Sequence, residues 1–158
     1  MAANLQVQLA MQRDGMPEAG DFHVVEAPIP RPAPGQMLVR TVYLSLDPYV
    51  RKAIRGDHPG HKALVEGDVI YGRSVCRVVR SHDDSYRVGD YLVAETGWRQ
   101  HAAIGAEKVV QRIDPSAGPL SAAIGTLGMP GLTAWGSVEH LGKPSLGETL
   151  VVSAAAGP

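Results

Sequence analysis

Gly125–Pro158 reads GTLGMPGLTAWGSVEHLGKPSLGETLVVSAAAGP, and the order of elements it implies decides the fold. Leu132, Trp135, Val138, Glu139 and Leu141 follow a roughly helical spacing over 132–141. Gly142 is placed as the C-cap of that helix, and Pro144 forbids its continuation. Thr149–Ser153 (TLVVS) is a continuous apolar run of strand length, the kind buried on both faces of a parallel sheet. Ala154, Ala155, Ala156 and Gly157 come next, small residues suited to close backbone approach. A strand that runs into a small-residue turn opens a dinucleotide-binding βαβ unit. Its second glycine, helix and ribose-binding acid are expected downstream.

Upstream of this stretch, composition points to short strands. The 18 glycines and 12 prolines among 158 residues exceed the roughly 12% that the two average together, which favours many strands joined by tight turns. Apolar residues make up 44% and charged residues 20%, the balance of a globular protein. The net charge of −1 gives no electrostatic case for nucleic acid or an anionic membrane. Cys76 is the single cysteine, so neither an internal disulfide nor a multi-cysteine zinc site can form. No apolar run reaches 18 residues and no signal-peptide pattern opens the chain, so the expected location is cytoplasmic.

In chain order, Leu5–Gln12 alternates, with Leu5, Val7, Leu9 and Met11 on one face. Phe22–Ala27 is a second strand, and Pro28, Pro30, Pro32 and Pro34 mark a rigid connector. Met37–Leu46 is a core strand that runs into Asp47-Pro48-Tyr49-Val50-Arg51, where Asp-Pro starts a turn and Pro48 suits the first position of a short helix. Tyr49 and Arg51 therefore emerge at a strand end. In Arg55–Glu66, His58 and His61 lie three apart beside Asp57; Pro59 and Gly60 argue against one helical face for both rings, and a solvated loop is the reading adopted. Val69–Arg80 is expected as a strand that bends at Gly72, followed by strands in Tyr86–Glu95, Trp98–Ile104 and Lys108–Ile113 and a short helix over Leu120–Leu127. About seven short strands suggest a small curved barrel or sandwich.

Taken together, YLSLDPYVR, VIYGRSVCRVV, VGDYLVAETGW, LGMPGLTAW and GETLVVSAAAG resemble the medium-chain dehydrogenase/reductase superfamily. Within it they are similar to the zinc-independent double-bond reductases: leukotriene B4 dehydrogenase, 15-oxoprostaglandin reductase, plant alkenal reductase and bacterial curcumin reductase. The resemblance implies a mainly β fold with short helices. A GroES-like β-barrel catalytic domain would fill residues 1–120, and 121–158 would hold the linking helices and first strand of a truncated Rossmann domain. Where the superfamily's zinc enzymes carry a ligand cysteine, this chain has Asp47-Pro48-Tyr49; where they carry a His-Glu pair after a glycine, Gly72 precedes Arg73-Ser74; and their four-cysteine lobe is replaced by direct passage into Trp98. No zinc is therefore expected.

The chemistry implied by the resemblance is hydride delivery from NADPH to the β-carbon of an enone or enal, with a donor for the enolate oxygen. Tyr49 and Tyr71 match substrate-orienting positions; Pro48, Met129 and Thr133 match positions on the nicotinamide side; Gly157 matches the start of the phosphate-binding turn. The family's main catalytic tyrosine lies in the later domain, so no catalytic residue is assigned here. The 158-residue chain alone is expected to be inactive, and the complete enzyme to be a homodimer acting on a small molecule. A stand-alone barrel serving as a binding or assembly module, or a quinone oxidoreductase-type relative, is the alternative.

Overall fold

The computed structural model describes residues 3–153. Seven strands and two short helices follow one another: β1 (Ala3–Leu9), β2 (Phe22–Pro28), β3 (Gln36–Leu44), α1 (Tyr49–Arg55), β4 (Arg73–Ser81), β5 (Tyr91–Glu95), β6 (His101–Gly105), β7 (Val109–Ile113) and α2 (Met129–Gly136). β6-β3-β4-β5-β7 form one antiparallel sheet, and β1-β2 form an antiparallel ribbon. The ribbon is stitched to the loops on either side of the sheet. Leu9 and Val7 donate backbone N–H groups to Asp68 and Trp98 carbonyls (2.9 and 2.8 Å), and Ile70 N–H donates to the Val7 carbonyl (3.0 Å). The mainly β expectation is met.

Alternation builds the core. On the sheet's inner face Met37, Val39, Cys76, Val78, Leu92 and Ala94 are wholly buried and packed with Ala102 and Ile104. Burial at this density is the main source of stability in such a sheet. A second cluster of Leu9, Val50, Ile54, Leu64 and Ile70 lies between the ribbon, α1 and the 57–70 loop, and it is this one that supports the site. The turn before β2 is fixed by Asp21. Its buried carboxylate accepts the Glu18 N–H (2.8 Å) and the Arg13 Nε–H (3.1 Å), and these bonds hold its pKa below the ordinary value.

Several boundaries differ from the sequence expectations. β1 ends at Leu9, because the Ala10 and Met11 N–H groups turn to the Asp21 carbonyl. β1 also begins before the expected Leu5, and Asn4 is buried there, its side chain donating to the His101 carbonyl (3.0 Å) and accepting the His101 N–H (2.8 Å). Residues 69–72 precede β4, since Val69 bridges Gln8 of the ribbon instead. Gly72 does not bend a strand. A Cβ there would stand 2.6 Å from Trp98 Cδ1 and Nε1, so glycine admits the indole.

Residues 120–127 form only a 3-10 turn, Leu120–Ile124. α2 starts at Met129 and continues as a π-helical turn, Ser137–Gly142; Lys143 (φ 45°), not Gly142, takes the left-handed cap conformation, donating its N–H to the Val138 carbonyl (2.8 Å). Gly131 lies within α2, where a Cβ would collide with the Thr126 carbonyl, which accounts for the second glycine of the LGMPG motif. Thr149–Ser153 forms no strand. It finds no pairing partner among the described residues, and a strand without a ladder leaves its backbone groups to solvent. No helix among the described residues is long and apolar enough to cross a membrane.

Candidate substrate-facing site

The site begins where β3 ends. Ser45 is buried, and its N–H donates to the Arg73 carbonyl (2.9 Å) while its hydroxyl donates to Asp47 Oδ1 (2.8 Å). Asp47 is thereby fixed, and its carbonyl accepts the Val50 N–H (3.1 Å). Pro48 is the N-cap residue (φ −59°, ψ −27°), one position earlier than expected, and its ring favours that turn into the helix. α1 then carries Val50, Ala53 and Ile54 inward and Tyr49 to the edge of the core. It ends at Gly56 (φ 77°), whose N–H caps the Ala53 carbonyl.

The following loop folds back across α1, where the Leu64 N–H donates to the Ile54 carbonyl (2.9 Å). This return turns His58 and His61 toward Tyr49 instead of leaving them solvated, which corrects the reading of this loop. Ring centroids lie 5.1 Å apart for Tyr49–His58, 5.7 Å for Tyr49–His61, 5.1 Å for His58–His61 and 4.5 Å for His61–Tyr71. Four half-buried rings thus form one continuous wall over the second core cluster. Tyr71 donates its hydroxyl to the Lys62 carbonyl (2.9 Å), so it anchors the loop and turns its ring to the wall. The Tyr49 hydroxyl makes no hydrogen bond among the described residues. Burial, and then the Asp47 charge, push the Tyr49 pKa upward, with Arg73 opposing; the phenol is a proton donor throughout the neutral range.

The other sequence-selected residues fall elsewhere. Met129 and Thr133 sit on α2, exposed and outside the tyrosine cluster, and the Thr133 hydroxyl donates back to the Met129 carbonyl (2.8 Å). Pro48 is exposed beside Tyr49. Gly157 lies outside the described residues. Arg73, where the resemblance puts the zinc enzymes' ligand pair, faces Glu95 at 3.7 Å, and Glu95 also faces Lys108 at 3.8 Å. Among the described residues no three His, Cys, Asp or Glu side chains gather as a metal set. The two histidines and the Ser45–Asp47 bond were missed as parts of the site. The visible signal was the pair of imidazoles directly after a capped helix, but ring-to-ring contact depends on how the loop folds back.

Residues 5–112 match the family described as the N-terminal domain of oxidoreductase. The chain belongs to that family. It is 40% identical over 151 residues to the NADPH-dependent curcumin reductase of Escherichia coli (strain K12), covering 95% of this chain and 43% of the relative. It is 37% identical over 145 residues to prostaglandin reductase 1 of Bos taurus, covering 90% and 42%. The crystal structure of CurA from Vibrio vulnificus in complex with NADPH superposes with a TM-score of 0.79 at 38% identity, covering 95% of this chain and 44% of that one. Over this domain the chain is thus similar to curcumin and prostaglandin reductases of the medium-chain dehydrogenase/reductase superfamily, and its mainly β fold is the GroES-like one of those neighbours. It spans less than half the length of the curated relatives it matches.

Proposed function

We propose that residues 1–120 form the substrate-side barrel of an NADP(H)-dependent reductase of enones and enals, and that 121–158 open its dinucleotide-binding domain. The observation that carries this reading is the Tyr49 hydroxyl: half-buried, protonated and uncommitted, at the end of a core strand beside an aromatic wall. A reduced nicotinamide supplies hydride to such substrates when bound. On this reading three residues would face its ring. Pro48, Met129 and Thr133 are exposed and uncharged, as a flat, weakly polar ring requires. Gly157, assigned to the pyrophosphate, has no described geometry.

As charge moves onto the substrate carbonyl oxygen, Tyr49 donates a hydrogen bond to it. The Tyr71 ring and the two imidazoles exclude water from one side, which strengthens that bond. The reading is supported by the names of the relatives, which include an NADPH-dependent curcumin reductase and an NADP(+)-dependent 2-alkenal reductase.

In the natural protein saturated with NADPH, Tyr49→Phe is expected to lower kcat/KM for a simple enone by about 1 kcal/mol, the net worth of one orienting hydrogen bond. NADPH affinity should hold. A wild-type kcat/KM would remove Tyr49 from the reaction. The 158-residue chain by itself is expected not to bind NADPH tightly; saturable nicotinamide fluorescence below about 10 μM, near −7 kcal/mol, would show that the cofactor determinants lie in this half.

A further inference from the structure

We infer that the groove between the β1–β2 ribbon and β3 is a binding site for a small carboxylate bearing a hydrocarbon chain, with the Arg99 guanidinium as its anion receptor. The groove holds about 260 Å3, and Leu5, Val7, Val24 and Leu44 line it together with Trp98 and Arg99. It shares no residue with the Tyr49–Tyr71 wall.

Backbone bonding fixes its sides. Residues 98–100 run between the ribbon and β3. The Val7 N–H donates to the Trp98 carbonyl (2.8 Å), the Gln100 N–H to the Leu5 carbonyl (2.9 Å) and the Thr41 N–H to the Gln100 carbonyl (2.8 Å). The Thr41 hydroxyl donates to the Arg99 carbonyl (2.7 Å), and Gln100 Oε1 accepts the Leu5 N–H (3.1 Å). These polar groups are spent within the fold, and a groove held in this way is formed before a ligand arrives.

The Arg99 side chain is the exception. Among the described residues it pairs with no carboxylate and donates no hydrogen bond, and its Nε is buried without a partner. Burial holds its pKa below the ordinary guanidinium value, and no neighbouring charge opposes that shift. The group still keeps its charge at neutral pH. Room for it is preserved at Gly97 (φ 69°), where a Cβ would stand 3.3 Å from Arg99 Nη2. A charge withdrawn from water without a counterion costs stability, so a bound anion offsets what burial imposes. A planar carboxylate matches the guanidinium fork. The apolar lining selects the rest of the ligand. At ~30 Å3 per water-sized group, 260 Å3 admits about eight such groups, the size of a six-carbon carboxylate.

The test is isothermal titration of the natural protein with hexanoate, hexan-1-ol and acetate at fixed ionic strength. Hexanoate is expected to saturate one site below about 1 mM, and the alcohol and acetate to bind roughly tenfold more weakly or worse. Arg99→Met keeps an apolar stem and removes the charge. It should weaken hexanoate by about tenfold, to the level of the alcohol, and leave the thermal unfolding midpoint without ligand no lower than wild type. Val24 is exposed at the edge of the groove. Val24→Glu should therefore weaken hexanoate by charge repulsion and leave hexan-1-ol unchanged.

No saturable hexanoate binding up to about 10 mM, equal affinity for the alcohol or for acetate, or unchanged hexanoate binding in either variant would overturn the assignment. A lowered midpoint in Arg99→Met, or its failure to fold, would show that Arg99 serves the fold and would overturn its role as receptor. Neither cofactor nor turnover enters these measurements, so their outcome is independent of the reductase reading.

Discussion

Leu92 and Leu132 are both leucines in regular structure that the sequence pattern selects as apolar contact points, yet one has no exposed surface and the other is 60% exposed. The difference runs through the two regions that hold them. In the sheet, β4 and β5 place Val75, Cys76, Leu92 and Val93 opposite one another, so each strand supplies its neighbour's cover. On α2 and beyond, Met129, Leu132, Trp135, Leu141 and Val151 all keep more than half of their surface. Periodicity identifies the kind of element in both regions. What covers an apolar face is a separate matter, and antiparallel pairing settles it only where the partner strand is local.

The largest effect expected from breaking this contrast is at Leu92. Replacement by Ala removes buried methyl groups from a close-packed sheet core and should cost about 2–5 kcal/mol in equilibrium urea unfolding. A loss below 1 kcal/mol would mean that the core repacks around the gap and that the burial there is not what holds the sheet.

Gly72 is expected to come next, because its neighbour is a rigid indole and not a flexible chain. Gly72→Ala would set a Cβ 2.6 Å from the Trp98 ring, and overpacking of this kind costs about 1–3 kcal/mol. Combining it with Trp98→Leu should recover part of the loss, a non-additivity read from a double-mutant cycle. Strict additivity would show that the two residues do not compete for the same space.

This pair also marks where the sequence was legible. The strands were readable from alternation and turn residues, and DPY at the end of β3 was readable as a strand-to-helix turn. A glycine within a β-rich segment, by contrast, reads as a bend or bulge by local rules. Its actual reason, an indole 26 positions away, lies in a contact that local spacing does not encode. His58 and His61 were opaque for the same cause. Pro59 and Gly60 correctly ruled out a helix, but a loop can still turn both rings inward once the Leu64 N–H is tied to the Ile54 carbonyl. Tyr49 was legible as a residue delivered by a core strand; the commitment of the Tyr71 hydroxyl to Lys62 was not, because a backbone carbonyl carries no sequence signature.

The buried thiol of Cys76 gives an effect confined to alkaline solution. Burial pushes its pKa up to about 12 from 9.0, opposed by a hydrogen bond with the Ser74 hydroxyl. A group whose folded pKa is raised contributes stability that is complete below pH 9 and is lost as pH rises toward 12. Cys76→Ala should therefore flatten the decline of stability across that window relative to wild type. Native protein at pH 7 should also resist thiol reagents, since neither thiolate nor access is available. Identical alkaline slopes for the two proteins would mean that the thiol is not buried in solution.

The smallest expected effect belongs to Leu132, and it tests the other side of the contrast. An exposed leucine on α2 contacts little that its removal could disturb, and alanine is the better helix former. The Gly128 and Gly131 N–H bonds to the Gly125 carbonyl and the Thr133 hydroxyl bond to the Met129 carbonyl hold the start of this helix without the Leu132 side chain. Leu132→Ala in the 158-residue chain should thus shift urea unfolding by no more than about 0.5 kcal/mol in either direction, the range of ordinary surface substitutions. The same substitution in Leu92 serves as the internal reference, because the two remove the same atoms. A loss at Leu132 approaching that at Leu92 would show that this face is covered in solution. The difference between the sheet and α2 would then lie in which partner covers each face, and not in whether one does.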